Sequence, residues 1–268
     1  MPVFRISSVL LLLLAWLPPT APQAQALDQP VDVELLLAVD VSGSMDPDEH
    51  ALQRQGYVAA IRSEAFRRTV RSGAYGRIAL AYVEWAGIGR QAVVLPWVEL
   101  AGDADIDRVA GHLAQAPIAF IRGTSLSSIL DFAGKHFDGN GFEGLRRVID
   151  VSGDGPNNTG GPVLDARDRV LKRGITINGL PIMIRPALHG SSTTPSLDEY
   201  FTACVIGGPG AFVLPVREIE AMAEAIRRKL VLEIAGAPVP AARIDQAQAR
   251  PPVDCRIGER LRRFWMEP

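Results

Sequence analysis

Asp40, Ser42 and Ser44 alternate within the stretch Val39-Asp40-Val41-Ser42-Gly43-Ser44-Met45. Alternate residues of an extended segment point the same way, so one carboxylate and two hydroxyls converge on one spot. Hard oxygen donors of this kind suit Mg²⁺, Mn²⁺ or Ca²⁺ rather than zinc or copper. Two further segments carry the same chemistry: Gly123-Thr124-Ser125, and Asp150-Val151-Ser152-Gly153-Asp154-Gly155. Each has a plainer reading when taken alone. Thr124 would be a helix N-cap, Asp154-Gly155 a turn, and an isolated D-x-S-x-S a set of capping residues. Their joint occurrence, in this order and at the spacing of an α/β chain, points to a single cation site.

The flanking elements would position these donors. The apolar run Val33-Glu34-Leu35-Leu36-Leu37-Ala38 has the length of a buried strand. Asp46, Pro47 and Glu49 then read as N-cap, first helical residue and capping-box partner. Helical patterning covers 46–71, 103–114, the stretch after Ser125, 162–174 and 217–234; strand patterning covers 77–86, 91–98, 145–152, 175–184 and 211–215. Strands alternate with helices, which predicts an α/β, doubly wound, mostly parallel open sheet. The short connection through Gly87 and Gly89 implies a hairpin, so one edge strand should be antiparallel. In such sheets the crevice at the carboxyl ends of the strands holds the ligand, and all three oxygen-bearing segments fall on that rim.

At these three motifs the chain resembles the von Willebrand factor A domain family, over roughly residues 31–234. The family's metal-ion-dependent adhesion site combines D-x-S-x-S with a distant Thr and a distant Asp. The resemblance implies that Ser42, Ser44 and Thr124 offer hydroxyls directly to a Mg²⁺ or Mn²⁺ ion, while Asp40 and Asp154 hold it mainly through waters. Gly153 stands where the family usually has Thr, which leaves Asp150 as an alternative to Asp154 for the distal position. Three hydroxyls and two carboxylates leave a six-coordinate cation one position for exchange. A protein partner's Asp or Glu carboxylate could enter there. The resemblance therefore implies a binding module rather than an enzyme.

The competing class is a Mg²⁺-dependent phosphatase or other hydrolase on a similar sheet. Such enzymes often carry a second acidic residue two positions after a nucleophilic Asp, and here that position is Ser42. No G-x-S-x-G, H-E-x-x-H or C-x-x-C spacing is present. The histidines 50, 112, 136 and 189 are scattered and read as surface residues, and Asn157 and Asn158 as turn formers. A formal net charge of −2 and the absence of a basic block give no sign of a nucleic-acid partner.

The N-terminus has the layout of a secretory signal peptide. Arg5 precedes an apolar run at 9–17, and Ala24-Gln25-Ala26 follows as an A-x-A cleavage pattern. The division expected is a signal peptide at 1–26, a domain at 27–235, and a Pro/Ala-rich linker with a short tail at 236–268. The mature chain would be periplasmic or secreted, without a membrane span. A cytoplasmic partner of an AAA-type ATPase also fits the family, but the signal peptide opposes it. In an oxidising compartment Cys204 and Cys255, the two cysteines, read as a disulfide; two separate thiols are the alternative.

Overall fold

The computed structural model describes residues 28–119, 122–184, 195–236 and 253–266. The expected signal peptide at 1–26, nearly all of the loop at 186–195 and most of the linker at 236–253 lie outside the described residues.

The chain enters through a short strand, β1 (Gln29–Val31), and then forms the wholly buried β2 (Glu34–Asp40). Asp46 caps α1 (Pro47–Arg62) with the expected reciprocal box: its Oδ1 accepts from Glu49 N at 2.9 Å, and Glu49 Oε2 accepts from Asp46 N at 2.8 Å. The single helix expected over 46–71 is in fact two. Ser63 is extended (ψ 146°), and its hydroxyl accepts from Phe66 N to start α2 (Glu64–Arg71). Serine competes with the helix by capping locally, which explains the break.

The hairpin of β3 (Ile78–Trp85) and β4 (Gln91–Leu100) is antiparallel, with a register irregularity opposite Leu80–Val83. Next come α3 (Asp103–Gln115), α4 (Leu126–His136), β5 (Phe142–Gly144), β6 (Arg147–Gly153), α5 (Val163–Lys172) and β7 (Ile175–Pro181). β1 and β5 pair in parallel as a small separate sheet that sequence patterning does not signal. The main sheet has the order β4-β3-β2-β6-β7, parallel except at β4. Its order reverses at β2, so the carboxyl ends of β2 and its neighbours form the switch-point crevice.

Period-two alternation in β2 divides the core. Leu35, Leu37 and Val39 pack with α1, α2, α3 and the last long helix, α7 (Met222–Ala235, after the short α6, Leu197–Tyr200); Leu36 and Ala38 pack with α4, α5 and residues 200–205. The strand expected at 211–215 does not form. Residues 207–216 instead run along the outer edge of β7, with isolated bridges to Ile177 and Gly179 within it and to Ile182 just past its end. The tail is not merely a tail: residues 257–266 form a further helix, α8 (Ile257–Met266). A Cys204–Cys255 disulfide fastens its start to the domain. Among the described residues no helix is long and apolar enough to cross a membrane.

Candidate metal centre

The site begins where β2 leaves the sheet. Asp40 is fully buried, and its Oδ1 accepts from Ser42 N at 2.7 Å. That bond turns the loop so that the two serine hydroxyls meet, Ser42 Oγ and Ser44 Oγ lying 3.0 Å apart. Ser44 Oγ donates to Asp154 Oδ1 at 2.7 Å, across 110 residues of sequence. Asp40 and Ser42 are buried, Asp154 is partly exposed and Ser44 is exposed. The donor set is thus a cup with a dry floor and a wet lip.

Thr124 joins the same rim through the backbone. Val41 N–H donates to the Trp85 carbonyl and Ser125 N–H to the adjacent Ala86 carbonyl, each at 2.9 Å, so both loops hang on the end of β3. Gly123 has φ +92°, which favours glycine, and a side-chain carbon there would lie 3.4 Å from Gly87 Cα. The cap of α4 is Ser125, whose hydroxyl accepts from Ser128 N, and not Thr124. The Thr124 hydroxyl is therefore not spent as a cap.

The third loop is held from beneath. Thr124 N donates to Asn158 Oδ1 at 3.1 Å, and Asn158 N returns a bond to the Thr124 carbonyl at 3.0 Å. Asn157 is completely buried; it takes Ser127 N at 3.0 Å on Oδ1, and its Nδ2 donates to Glu259 Oε1 of α8 at 2.7 Å and to Gly161 O at 3.2 Å. Tyr200 OH accepts from Asn157 N at 3.2 Å. These asparagines are struts rather than simple turn formers. The N-N pair after D-G was their visible signal, but their partners at 124, 127 and 259 are remote in sequence.

His50 also departs from expectation. It is buried beneath the loop, and burial lowers its imidazole pKa, partly offset by a hydrogen bond to the Ser42 backbone. Asp150 is absent from the rim. It is buried on the α7 side of β6 against Lys229, so the distal carboxylate of this cluster is Asp154.

The chemistry of the cluster fits a hard cation. Asp40 Oδ2 is buried and accepts no hydrogen bond. Burial, and then the charge of Asp154, push the Asp40 carboxyl up to about 8. A divalent ion would relieve both effects. Among the described residues no group of three or more His, Cys, Asp or Glu is arranged to hold a metal, so hydroxyls must carry this site. Asp40, Ser42, Ser44, Thr124 and Asp154 are the residues that would hold a divalent cation.

A mostly parallel sheet with one antiparallel edge and helices on both faces, with this cup at the switch point, is the von Willebrand factor A type of fold. The chain belongs to the family described as "Protein of unknown function (DUF1194)", whose model matches residues 30–238. No curated protein matches it. Among solved structures it is similar to proximal thread matrix protein 1 from the mussel byssus, at 13% identity and a TM-score of 0.57, covering 78% of this chain and 49% of that one. Another structure of the mussel protein, "with zinc occupied MIDAS motif", matches at 14% identity and a TM-score of 0.52, covering 75% of this chain and 46% of that one. A von Willebrand factor type A protein from Catenulispora acidiphila matches at 16% identity and a TM-score of 0.54, covering 76% of this chain and 43% of that one. The chain thus spans less than half the length of each of these proteins.

Proposed function

We propose that this chain is an exported binding module that holds one Mg²⁺ or Mn²⁺ at Asp40, Ser42, Ser44, Thr124 and Asp154, and uses the ion to capture an Asp or Glu side chain of a protein partner. The observation that carries the reading is Asp40 Oδ2, a buried carboxylate oxygen without a donor, at the floor of a hydroxyl-lined cup. Neutral hydroxyls in direct contact leave the ion electrophilic, so an incoming carboxylate is attracted. The open lip at Ser44 and Asp154 is where that carboxylate would arrive. A zinc-occupied site in the mussel protein supports the reading by analogy of fold. The Cys204–Cys255 disulfide and the A-x-A pattern support export, with residues 1–26 removed.

A nucleophilic role for Asp40 is disfavoured by its complete burial, since an attacking carboxylate must reach its substrate. Calorimetry with Mn²⁺ on the mature protein tests the site, and capture from periplasmic extract in Mg²⁺, then in chelator, tests the use. Saturable binding of one ion, with partners released by chelator, is expected. Failure to bind Mn²⁺, or metal-dependent turnover of phosphate esters, would overturn the proposal.

A further inference from the structure

Beneath the sheet, away from the cation site, three ionisable side chains meet in a dry pocket. Lys229 and Glu233 lie one turn apart on α7, and Asp150 projects from the middle of β6. Lys229 Nζ is 2.5 Å from Asp150 Oδ1 and 2.5 Å from Glu233 Oε1, and all three residues are at most 2% exposed. Asn178 of β7 donates to Glu233 Oε1 at 3.1 Å, and the Phe212 ring lies 5.4 Å from Lys229 Nζ. Fully ionised, the triad holds one positive and two negative charges. Such an imbalance in the interior is costly, so one carboxyl has to be neutral.

We propose that Lys229 and Asp150 condense into an intramolecular amide that ties α7 to β6, with Glu233 relaying the protons. The amine and the carboxyl are held in contact, which replaces a chance encounter by a fixed pairing. Glu233 is the group placed to act as acid and base, because it touches the reacting nitrogen. Burial first, and the charge of Asp150 second, raise its carboxyl to about 8, where it can both take and give a proton. The step balances without a co-reactant. Glu233 starts as the neutral acid. The Lys229 ammonium passes a proton to the Asp150 carboxylate that it touches, and the freed amine forms a bond to Asp150 Cγ. As the Cγ–O bond breaks, Glu233 gives its proton to the departing hydroxyl and takes one from the nitrogen, so one water leaves. One ammonium and one carboxylate become one amide and one water, and Glu233 ends protonated, as it began. The product leaves no net charge in the pocket, whereas the ionised triad does.

The full chain, reduced, denatured and digested with trypsin, decides the matter. The expected result is an intact mass lower by one water and a branched peptide joining residues 148–167 to 229–243, uncut after Lys229. Cleavage after Lys229 at full mass would overturn the proposal and leave an ordinary buried ion triad. The Glu233→Gln variant is expected to show the unlinked mass, and a fully linked variant would refute the relay. If that variant does not fold, Lys229→Arg supplies the unlinked reference, while the wild-type map alone settles whether the bond forms.

Discussion

Gly153 lies against Asp40: a side-chain carbon at position 153 would stand 3.2 Å from Asp40 Oδ2 and 3.4 Å from the Trp85 ring. The glycine that breaks the family pattern therefore has a physical reason. It makes room for the buried indole, and it leaves Asp40 Oδ2 without a hydroxyl donor from residue 153. Gly153→Ala should crowd the floor of the cup and cost about 1–2 kcal/mol of stability, as overpacking does. Mn²⁺ affinity should fall several-fold. Denaturant unfolding beside calorimetry checks both, and unchanged affinity would show that the floor tolerates the methyl group.

Asp40→Ala should reduce Mn²⁺ affinity at least tenfold and abolish metal-dependent capture of a partner. The sheet should persist, because β2 draws its stability from Leu35, Leu36, Leu37 and Val39, which are essentially unexposed. Circular dichroism of both proteins separates a lost site from a lost fold. Retained Mn²⁺ binding in the variant would sink the assignment.

The pH dependence has a defined sign. The ordinary carboxyl value for Asp40 is 3.8, and the metal-free fold raises it to about 8. Stability from this group is complete below the ordinary value and is lost as pH rises through the raised one. In chelator, the thermal midpoint of wild type should therefore fall relative to Asp40→Asn between about pH 4 and pH 8. Mn²⁺ affinity should rise over the same window, because binding expels the proton. Parallel melting curves for the two proteins across that range would refute the buried charge.

Asn157→Ala should cost about 2 kcal/mol, since it strands the buried Ser127 N–H at the start of α4. Hydrogen exchange should quicken at 154–159 and in α8, the two regions joined through Glu259. An effect confined to α4 would mean that α8 does not brace the loop.

Replacing both Cys204 and Cys255 by Ser should remove about 4 kcal/mol in the chain-entropy model, since the bond closes a loop of 51 residues. Chemical denaturation with and without reductant checks this. An oxidised protein no more stable than the double variant would contradict it.

Much of this was legible in the sequence, for identifiable reasons. The β2 run, the Asp46 box and the glycines at 87 and 89 are local signals, and local physics decided them. The D-x-S-x-S spacing of Asp40, Ser42 and Ser44 was legible too, but a turn after β2, and not extended backbone, brings the three together. What escaped depends on distant partners. The break at Ser63 reflects one hydroxyl bond. The cap passed from Thr124 to Ser125 because Gly123, Asn158 and Ala86 fix that loop. Residues 211–215 carry strand patterning, but only isolated bridges join them to β7. Helix α8 looked like a basic tail because its disulfide and its bond to Asn157 reach across the chain.

The chain that runs along β7 has a consequence for how copies of this protein meet. Residues 207, 213 and 216 occupy backbone positions on that rim that a neighbour's strand would otherwise use. The opposite rim, β4, carries Pro96 beside its register irregularity, so it lacks a donor where a regular ladder would need one. Neither rim presents a long, even template. Continuing the sheet from one molecule into the next is thereby discouraged at both of these rims.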